Sequence, residues 1–307
     1  MRRYLMRRLV LLVFVVWGVV SVTFVVTLKA GDPAAFMYHI RETKEEIEEL
    51  RRRLGLDRPL HEQYFNYLVK AVQGDFGSSI RHRQPATALI LDRLPYTLLL
   101  GGLALLISFF LALPIGVLAA VKRGTSLDGL TMLFALVGQA IPVFWLGILL
   151  ILIFGVWLRW LPVSGAGSLK HLALPAVTLA AYPLARNARL VRSSVLEVLG
   201  REYVTTARAK GLKDWTVLIR HVLRNALMPI MTLNALDLGS LLGGAVITES
   251  VFGWPGMGRL TVLAIRDWDY PVVQAGVALI AMTYVLANLL VDLLYLALDP
   301  RIRLEGQ

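Results

Sequence analysis

Long apolar runs alternate with polar stretches along this chain, and the runs are as long as a membrane-spanning helix. A helix of about 20 apolar residues crosses the hydrocarbon core of a bilayer. The first run, Leu9 to Leu28, follows four arginines and is predicted to span with the N-terminus inside. Five further spans are predicted, at about Tyr96 to Val121, Leu130 to Leu158, Leu172 onwards, Ala226 to Thr248 and Val272 to Leu298.

A signal peptide is the alternative interpretation of the first run, because such peptides also follow basic residues. No small-residue cleavage site comes after this run, and its apolar stretch is too long. We therefore interpret it as a span. Prolines inside the later spans predict kinked helices, and they stand at Pro114, Pro142, Pro175 and Pro183.

The polar segments divide the chain into three predicted parts. Residues 1–28 are the N-terminus and first span, residues 29–94 an extracytoplasmic segment, and residues 95–307 a five-span core. Within the segment, glutamates at 45–49 face arginines at 51–53, a spacing that predicts a helix, and the charges of the whole segment nearly cancel. A solvated outer domain is the plainest interpretation of this segment.

Basic residues concentrate in the connection between the fourth and fifth spans, at about residues 186–225. Short cytoplasmic loops carry an excess of lysine and arginine, so this connection and both termini are predicted to be cytoplasmic. The fourth span becomes charged at Arg186 and is predicted to continue inward as a helix. The basic residues are Arg186, Arg189, Arg192, Arg201, Arg208, Lys210, Lys213, Arg220 and Arg224.

This connection contains a short polar stretch, Arg201 to Leu212, which is predicted to be a docking element. Nothing breaks a helix from Glu202 to Lys210, and Gly211 is suited to the left-handed conformation that ends one. Asp214 is expected to cap the next helix. Small side chains would let a partner backbone approach closely, and they are those of Thr205, Thr206, Ala207 and Ala209.

Composition agrees with an integral membrane protein. Hydrophobic residues make up 57% of the chain, charged residues 17%, and the mean hydropathy is +0.64. The absence of cysteine excludes disulfides and thiolate metal sites. A net charge of +11 would suit nucleic acid, but in a membrane chain basic cytoplasmic loops account for it, and no nucleic-acid partner is predicted.

Polar residues within the spans are candidates for a translocation pathway, because a charge in hydrocarbon normally faces a cavity or a partner. The candidates are Gln139, Asn234, Asp237 and Glu249. Asp237 lies in the middle of the fifth span and is the most conspicuous of them. The alternative is interhelical hydrogen bonding that only holds the bundle together, and the sequence leaves both open.

Several motifs, in order, resemble those of the permease subunits of binding-protein-dependent ABC importers. They include Leu54 to Leu60, Gly74 to Ser79, Leu94 to Leu98, Glu249 to Gly258 and Asp269 to Gln274. The succession is similar to that of the first of the two permeases in dipeptide and oligopeptide importers. The docking motif departs from the family pattern, because Thr205 replaces a glutamate and Arg224 a proline.

This resemblance implies an all-α membrane protein with the type I importer fold and a cytoplasmic coupling helix. It implies a second permease subunit forming a heterodimer, two ATPase subunits or domains that hold ATP and magnesium, and an extracytoplasmic binding protein. The location implied is the bacterial or archaeal inner membrane. The implied ATPase-coupling residues are Glu202, Tyr203, Thr205, Thr206, Ala207, Arg208, Ala209, Lys210 and Gly211. The implied binding-protein-facing residues are Asp75, Phe252, Trp254, Pro255, Gly256 and Gly258.

Enzymatic functions lack their motifs. The sequence has no Gly-x-x-x-x-Gly-Lys-Ser/Thr loop for nucleotide phosphates, no His-Glu-x-x-His pair for zinc and no Gly-x-Ser-x-Gly nucleophile turn. We expect a non-catalytic subunit without a cofactor or metal. The alternatives are a self-sufficient channel or secondary carrier, whose internal repeat is not evident, and an importer of nickel, glutathione or sugar.

Overall fold

The computed structural model describes residues 2–30, 52 and 57–298, and these residues are mostly helical. The predicted helix from Glu45 to Arg53, apart from Arg52, and the closing segment from Asp299 lie outside them. The helices are α1 Arg2–Ala30, α2 Leu60–Val72, α3 Ala86–Leu91, α4 Leu94–Val121, α5 Ser126–Ala140, α6 Val143–Leu150, α7 Leu169–Leu199, α8 Glu202–Ala209, α9 Asp214–Val217, α10 Arg224–Val251, α11 Met257–Arg266 and α12 Tyr270–Leu298. Two π-helical turns, Ile151–Trp157 and Leu218–Leu223, continue α6 and α9.

Within the part of the chain that the structure describes, three stretches of helix are long and apolar enough to cross a membrane, and they are Val10–Lys29, Ala86–Val121 and Tyr270–Leu290. The pair of α5 and α6 would make a fourth if it is one bent span. Apolar side chains of α1 such as Phe14 and Trp17 are exposed, as lipid-facing side chains are. The count of six spans stays a prediction.

The predicted span from Leu130 to Leu158 is interrupted at Pro142, and whether its two parts form one span stays a prediction. Helix α5 ends at Ala140, α6 begins at Val143, and the two axes differ by 106°. Ile141 and Pro142 between them are extended, with ψ of 125° and 134°. A residue before proline is pushed out of the helical region, which explains the break at this point. In contrast, α7 continues through both Pro175 and Pro183.

The chain forms two compact units. Of the described residues, those within 1–97 and 255–286 form the first, and those within 98–254 and 287–307 form the second. The core of the first unit joins α3, α11 and the beginning of α12. Its buried side chains are Ala86, Ile90, Met257, Ala264, Val272, Val273 and Ala275.

Helix α7 is the central element of the second unit and packs against α5, α6 and α10. Its 31 residues extend over about 46 Å at 1.5 Å per residue. One apolar cluster surrounds its first half, where Leu172 and Leu179 meet Leu241 and Trp254. A second cluster surrounds its last turns, so the two ends of α7 are fixed by different neighbours.

Candidate functional site

The predicted docking helix is present as α8, and its end has the expected geometry. It begins at Glu202, and Gly211 follows it with a φ of +79°. The capping role expected for Asp214 is wrong, because α9 already begins at Asp214 and Lys213 occupies the cap position. The Asp214 carboxylate instead lies 3.4 Å from Arg208, in an exposed ion pair across the turn.

Helix α8 buries one side and exposes the other. Val204 and Ala207, three residues apart, are 0% and 5% exposed and pack against Val195 and Val217. Ala207 was expected on the partner-facing surface, and this expectation is wrong because its methyl group belongs to the protein's own core. The other predicted coupling residues are exposed, and they are Glu202, Tyr203, Thr205, Thr206, Arg208, Ala209, Lys210 and Gly211.

Polar contacts also attach α8 to its neighbours. Asn225, in the first turn of α10, donates a hydrogen bond of 3.1 Å to the Tyr203 hydroxyl. Arg201, just before α8, forms an ion pair of 2.5 Å with Glu197 on α7. The helix is therefore fixed to the last turns of α7 and the first turn of α10 by both apolar packing and hydrogen bonds.

Exposed apolar side chains also follow α8 along the chain, and among them the sequence interpretation missed Trp215. Trp215 is 70% exposed, and Leu212 and Tyr203 are 41% and 43% exposed. The sequence does contain an indication of this exposed apolar surface, because Leu212 and Trp215 are large apolar residues among the charged Lys210, Lys213 and Asp214. Exposed Trp and Tyr are typical of protein interfaces. We call Tyr203, Thr205, Thr206, Ala209, Leu212 and Trp215 together the coupling surface.

Three arginines at three-residue spacing on α7 each contact a polar side chain of a neighbouring helix. Arg186 pairs with Asp237 on α10. Arg189 donates to Gln139 on α5 at 3.0 Å. Arg192 binds both carboxylate oxygens of Asp128 on α5, at 2.5 and 2.8 Å. These contacts connect α7 to α5 and α10 around its charged half.

Asp237 lies in a buried polar network with Asn187 and Asn234. Its side chain is 4% exposed, and the Asn187 amide donates to Asp237 Oδ2 and to Asn234 Oδ1, each at 3.1 Å. Arg186 Nε and Asn187 Oδ1 are buried without a hydrogen-bond partner among the described residues. Asp237 thus has interhelical partners, which is one of the two alternatives that the sequence left open.

The four pathway candidates do not form one site. Asn234 and Asp237 share the network, whereas Gln139 contacts Arg189 on the α5 side. Glu249 is fully buried and stands twelve residues beyond Asp237 on α10, about 18 Å along the axis. No group of three or more histidine or carboxylate side chains that could hold a metal ion converges among the described residues.

The residues expected to face a binding protein differ in exposure. Phe252 and Trp254 are 1% and 3% exposed, so their side chains cannot form a contact surface, and that part of the expectation is wrong. Their burial has a local cause, because Trp254 joins the cluster around Leu100, and Phe252 packs close to Gly147. Gly256 and Gly258 are buried as well, Pro255 is half-buried, and Asp75 is exposed.

Within the first unit, one carboxylate fixes the loop that precedes α3. Asp269 accepts hydrogen bonds from Ser79 Oγ at 2.5 Å, from the Ile80 amide at 3.1 Å and from the Arg81 amide at 3.3 Å. The Asp269 residue is 2% exposed. Arg81 also pairs with Asp267. No local pattern in the sequence indicates this contact between segments 190 residues apart.

Replacing Asp269 with asparagine is expected to destabilise the first unit by about 2 kcal/mol, because hydrogen bonds to a buried charged group are lost or weakened. Limited proteolysis at residues 78–84 should become faster. Asp92→Asn, at an exposed carboxylate next to α3, is the matched control and should leave the rate unchanged. Equal rates for both variants would contradict the assignment.

Residues 112–304 match the family described as "Binding-protein-dependent transport system inner membrane component". Residues 1–101 match the one described as "Binding-prot-dependent transport system membrane comp, N-term". These two matches together extend over nearly the whole chain and both of its units.

Two curated relatives and one solved structure are similar over most of their length. The dipeptide transport system permease protein DppB of Escherichia coli is 40% identical over 99% of each chain. The glutathione transport system permease protein GsiC of the same species is 41% identical over 99% of each chain. A crystal structure of an amino acid ABC transporter with histidines covers 69% of this chain and 95% of its own, with a TM-score of 0.55 and 18% identity. That likeness concerns the fold alone, and the fold is the one predicted from the sequence.

Proposed function

The chain belongs to the family of binding-protein-dependent transport system inner membrane components, and from this premise we propose that it carries di- or oligopeptides as the first of two permeases in an ATP-driven importer. Two relatives with about 40% identity over the full length support the substrate class. One is named for dipeptides and the other for glutathione, which is itself a tripeptide. Glutathione is therefore the second candidate substrate, after di- and oligopeptides.

In this proposal, the coupling surface rests on an ATPase subunit at the cytoplasmic side. The exposed Trp215, Leu212 and Tyr203 support it, since they provide apolar area beside the basic Arg208 and Lys210. ATP and magnesium bind in the two ATPase partners. The second permease completes the pathway, and both termini lie in the cytoplasm of a bacterial or archaeal cell.

Motion of the ATPase pair would reach the spans through α7. Its last turns pack against Val204 and Ala207 of α8, while Arg186 and Arg192 connect it to α10 and α5. A ligand can shift a conformational equilibrium only if it binds the two states with different affinity. Closure of the ATPases around ATP would supply that difference, and α8 would pass it on as a rigid body.

We assign the pathway residues and the binding-protein contacts from the family resemblance together with the exposure of each side chain. We place Gln139, Asn234, Asp237 and Glu249 along or beside the pathway, where Asp237 acts by holding Arg186 and α7 in position and not by contacting substrate; the Arg186 side chain is 28% exposed. Asp75 and Pro255 offer side chains to the binding protein, whereas Gly256 and Gly258 shape the loop from within.

The test is reconstitution of this chain with its second permease, ATPases and binding protein in proteoliposomes. Uptake of a labelled dipeptide is expected to require both ATP and the binding protein, and omission of either is the control. Uptake without ATP would support the carrier alternative and contradict the importer. ATP-dependent uptake of nickel or a sugar, with none of dipeptide or glutathione, would contradict the substrate class.

A further inference from the structure

Helix α2 has three sides that differ in chemistry and in exposure. Residues three or four positions apart share one side of a helix. Tyr64 and Tyr67 lie on the side that packs against α1. On the second side, Phe65, Val69 and Val72 are 66%, 43% and 89% exposed, and we call these three residues the apolar stripe. The third side is polar and exposed, and its residues are Glu62, Asn66 and Lys70.

Hydrogen bonding and ring contacts fix α2 against the second half of α1. The hydroxyl groups of Ser21 and Tyr64 lie 2.7 Å apart and share a hydrogen bond. The centroid of the Phe24 ring lies 5.4 Å from that of Tyr64, and 5.2 Å from that of Tyr67, on which it stacks. Helix α2 is therefore held at the level of residues 21–24 of α1.

This level lies inside the stretch of α1 that is apolar enough to cross a membrane, which ends at Lys29. Phe24 and Ser21 come five and eight residues before Lys29, or about 7.5 and 12 Å along the axis at 1.5 Å per residue. One half of the hydrocarbon core is about 15 Å thick. If α1 spans the bilayer, its contacts with α2 therefore lie within the hydrocarbon half nearest Lys29.

The apolar stripe continues a surface that a spanning α1 exposes to lipid. Val22, Val25 and Val26 flank Phe24 on α1, and they are 62%, 46% and 59% exposed although α2 packs beside them. A helix with one apolar and one polar side is the usual form of a segment that lies in the membrane interface. In contrast, a stable protein interface needs about 800 Å² on each partner, far more than three side chains offer.

We propose that α2 lies in the lipid leaflet nearest Lys29, with the apolar stripe among the acyl chains and the polar side at the headgroups. In the proposed topology this is the outer leaflet. This part of the predicted extracytoplasmic segment is then a membrane anchor beside the first span and not a solvated domain. The proposal goes beyond the proposed function, because it concerns the contact of the chain with the bilayer whichever substrate is carried.

The test is electron paramagnetic resonance on the full chain in phosphatidylcholine nanodiscs. The chain has no cysteine, so a nitroxide label can be attached to one introduced cysteine at a time. Phe65→Cys and Val69→Cys place the label on the apolar stripe, and both positions are exposed, so the contact with α1 is kept. Asn66→Cys, on the polar side, is the matched control, and Phe14→Cys on α1 is the lipid reference.

The measurement is the collision rate of each label with oxygen, which concentrates in lipid, divided by that with a nickel chelate, which stays in water. This ratio is expected to be several-fold higher at positions 65 and 69 than at position 66, and to approach the ratio at position 14. It should stay so when the second permease and the binding protein are added.

A ratio at positions 65 and 69 as low as that at position 66 would overturn the proposal, because the stripe would then face water. Loss of collisions with both reagents once the partners are added would also overturn it, since a protein would then cover the stripe. A low ratio at position 14 would remove the span of α1 and the proposal with it. The first two results leave ATP-dependent uptake possible, so they are distinguishable from failure of the importer function.

Discussion

Replacing Asp237 with asparagine is expected to lower the melting temperature of the purified chain by at least about 5 °C. Removing one partner of a buried ion pair typically costs about 3 kcal/mol or more, because the other charge is left uncompensated. Here Arg186 would be that charge, although the Asn187 hydrogen bond can persist. Transport of all substrates should fall together, because the defect lies in the attachment of α7 to α10.

The double variant Arg186→Gln with Asp237→Asn is the matched control. It removes both charges and is expected to recover more than half of the lost stability, as a double-mutant cycle reports for groups in contact. Recovery of less than half of the lost stability by the double variant would contradict the ion pair as the cause of the defect. If Asp237→Asn melted like the wild type and lost only the uptake of cationic peptides, the carboxylate would face the substrate and not Arg186.

Replacing Ala209 with arginine is expected to abolish ATPase binding and reduce peptide uptake at least tenfold without loss of folding. Ala209 is exposed on α8, and arginine has a high helix propensity, so the added bulk should affect only the coupling surface. Pull-down of the ATPase and uptake in proteoliposomes measure the two effects. Ala209→Ser, which adds a single atom, should behave as wild type.

The same substitution at Ala207, two residues before Ala209, is expected to have a different effect. Because Ala207 is 5% exposed and packs against the second apolar cluster, Ala207→Arg is expected to destabilise the chain itself. Normal ATPase binding by the Ala209→Arg variant would contradict the coupling surface. A stable Ala207→Arg chain that fails only in ATPase binding would show that Ala207, and not Ala209, faces the partner.

Local chemistry determined which parts of this structure could be predicted. The end of α8 was predictable because a left-handed residue strongly favours glycine, and Gly211 occupies that position. The buried side of α8 was not predictable, since alanines and threonines surround the whole helix and only Val204 marks an inner side. The sequence showed small residues, but it did not show which of them have neighbours in the fold.

Long-range contacts were out of reach for a related reason. Arg186 and Asp237 are 51 positions apart, and neither has a local feature that identifies the other. The sequence pattern places Arg186 among the charges of the connection after the fourth span, whereas the structure pairs it within the helical bundle. The four prolines show the same limit, because Pro114 stays inside α4 and Pro175 and Pro183 stay inside α7, while Pro142 lies in the break after α5.

The interruption at Ile141 and Pro142 has a mechanical consequence. The extended backbone of Ile141 and Pro142 interrupts the helix between α5 and α6. Helix α5 is held by Arg189 and Arg192 to the charged half of α7, whereas Gly147 of α6 lies against Thr178, near its other half. A displacement of the charged end can therefore carry α5 with it while α6 keeps its place. With the helix interrupted here, a tilt of the charged half of α7 would not have to shear the apolar cluster around Leu172.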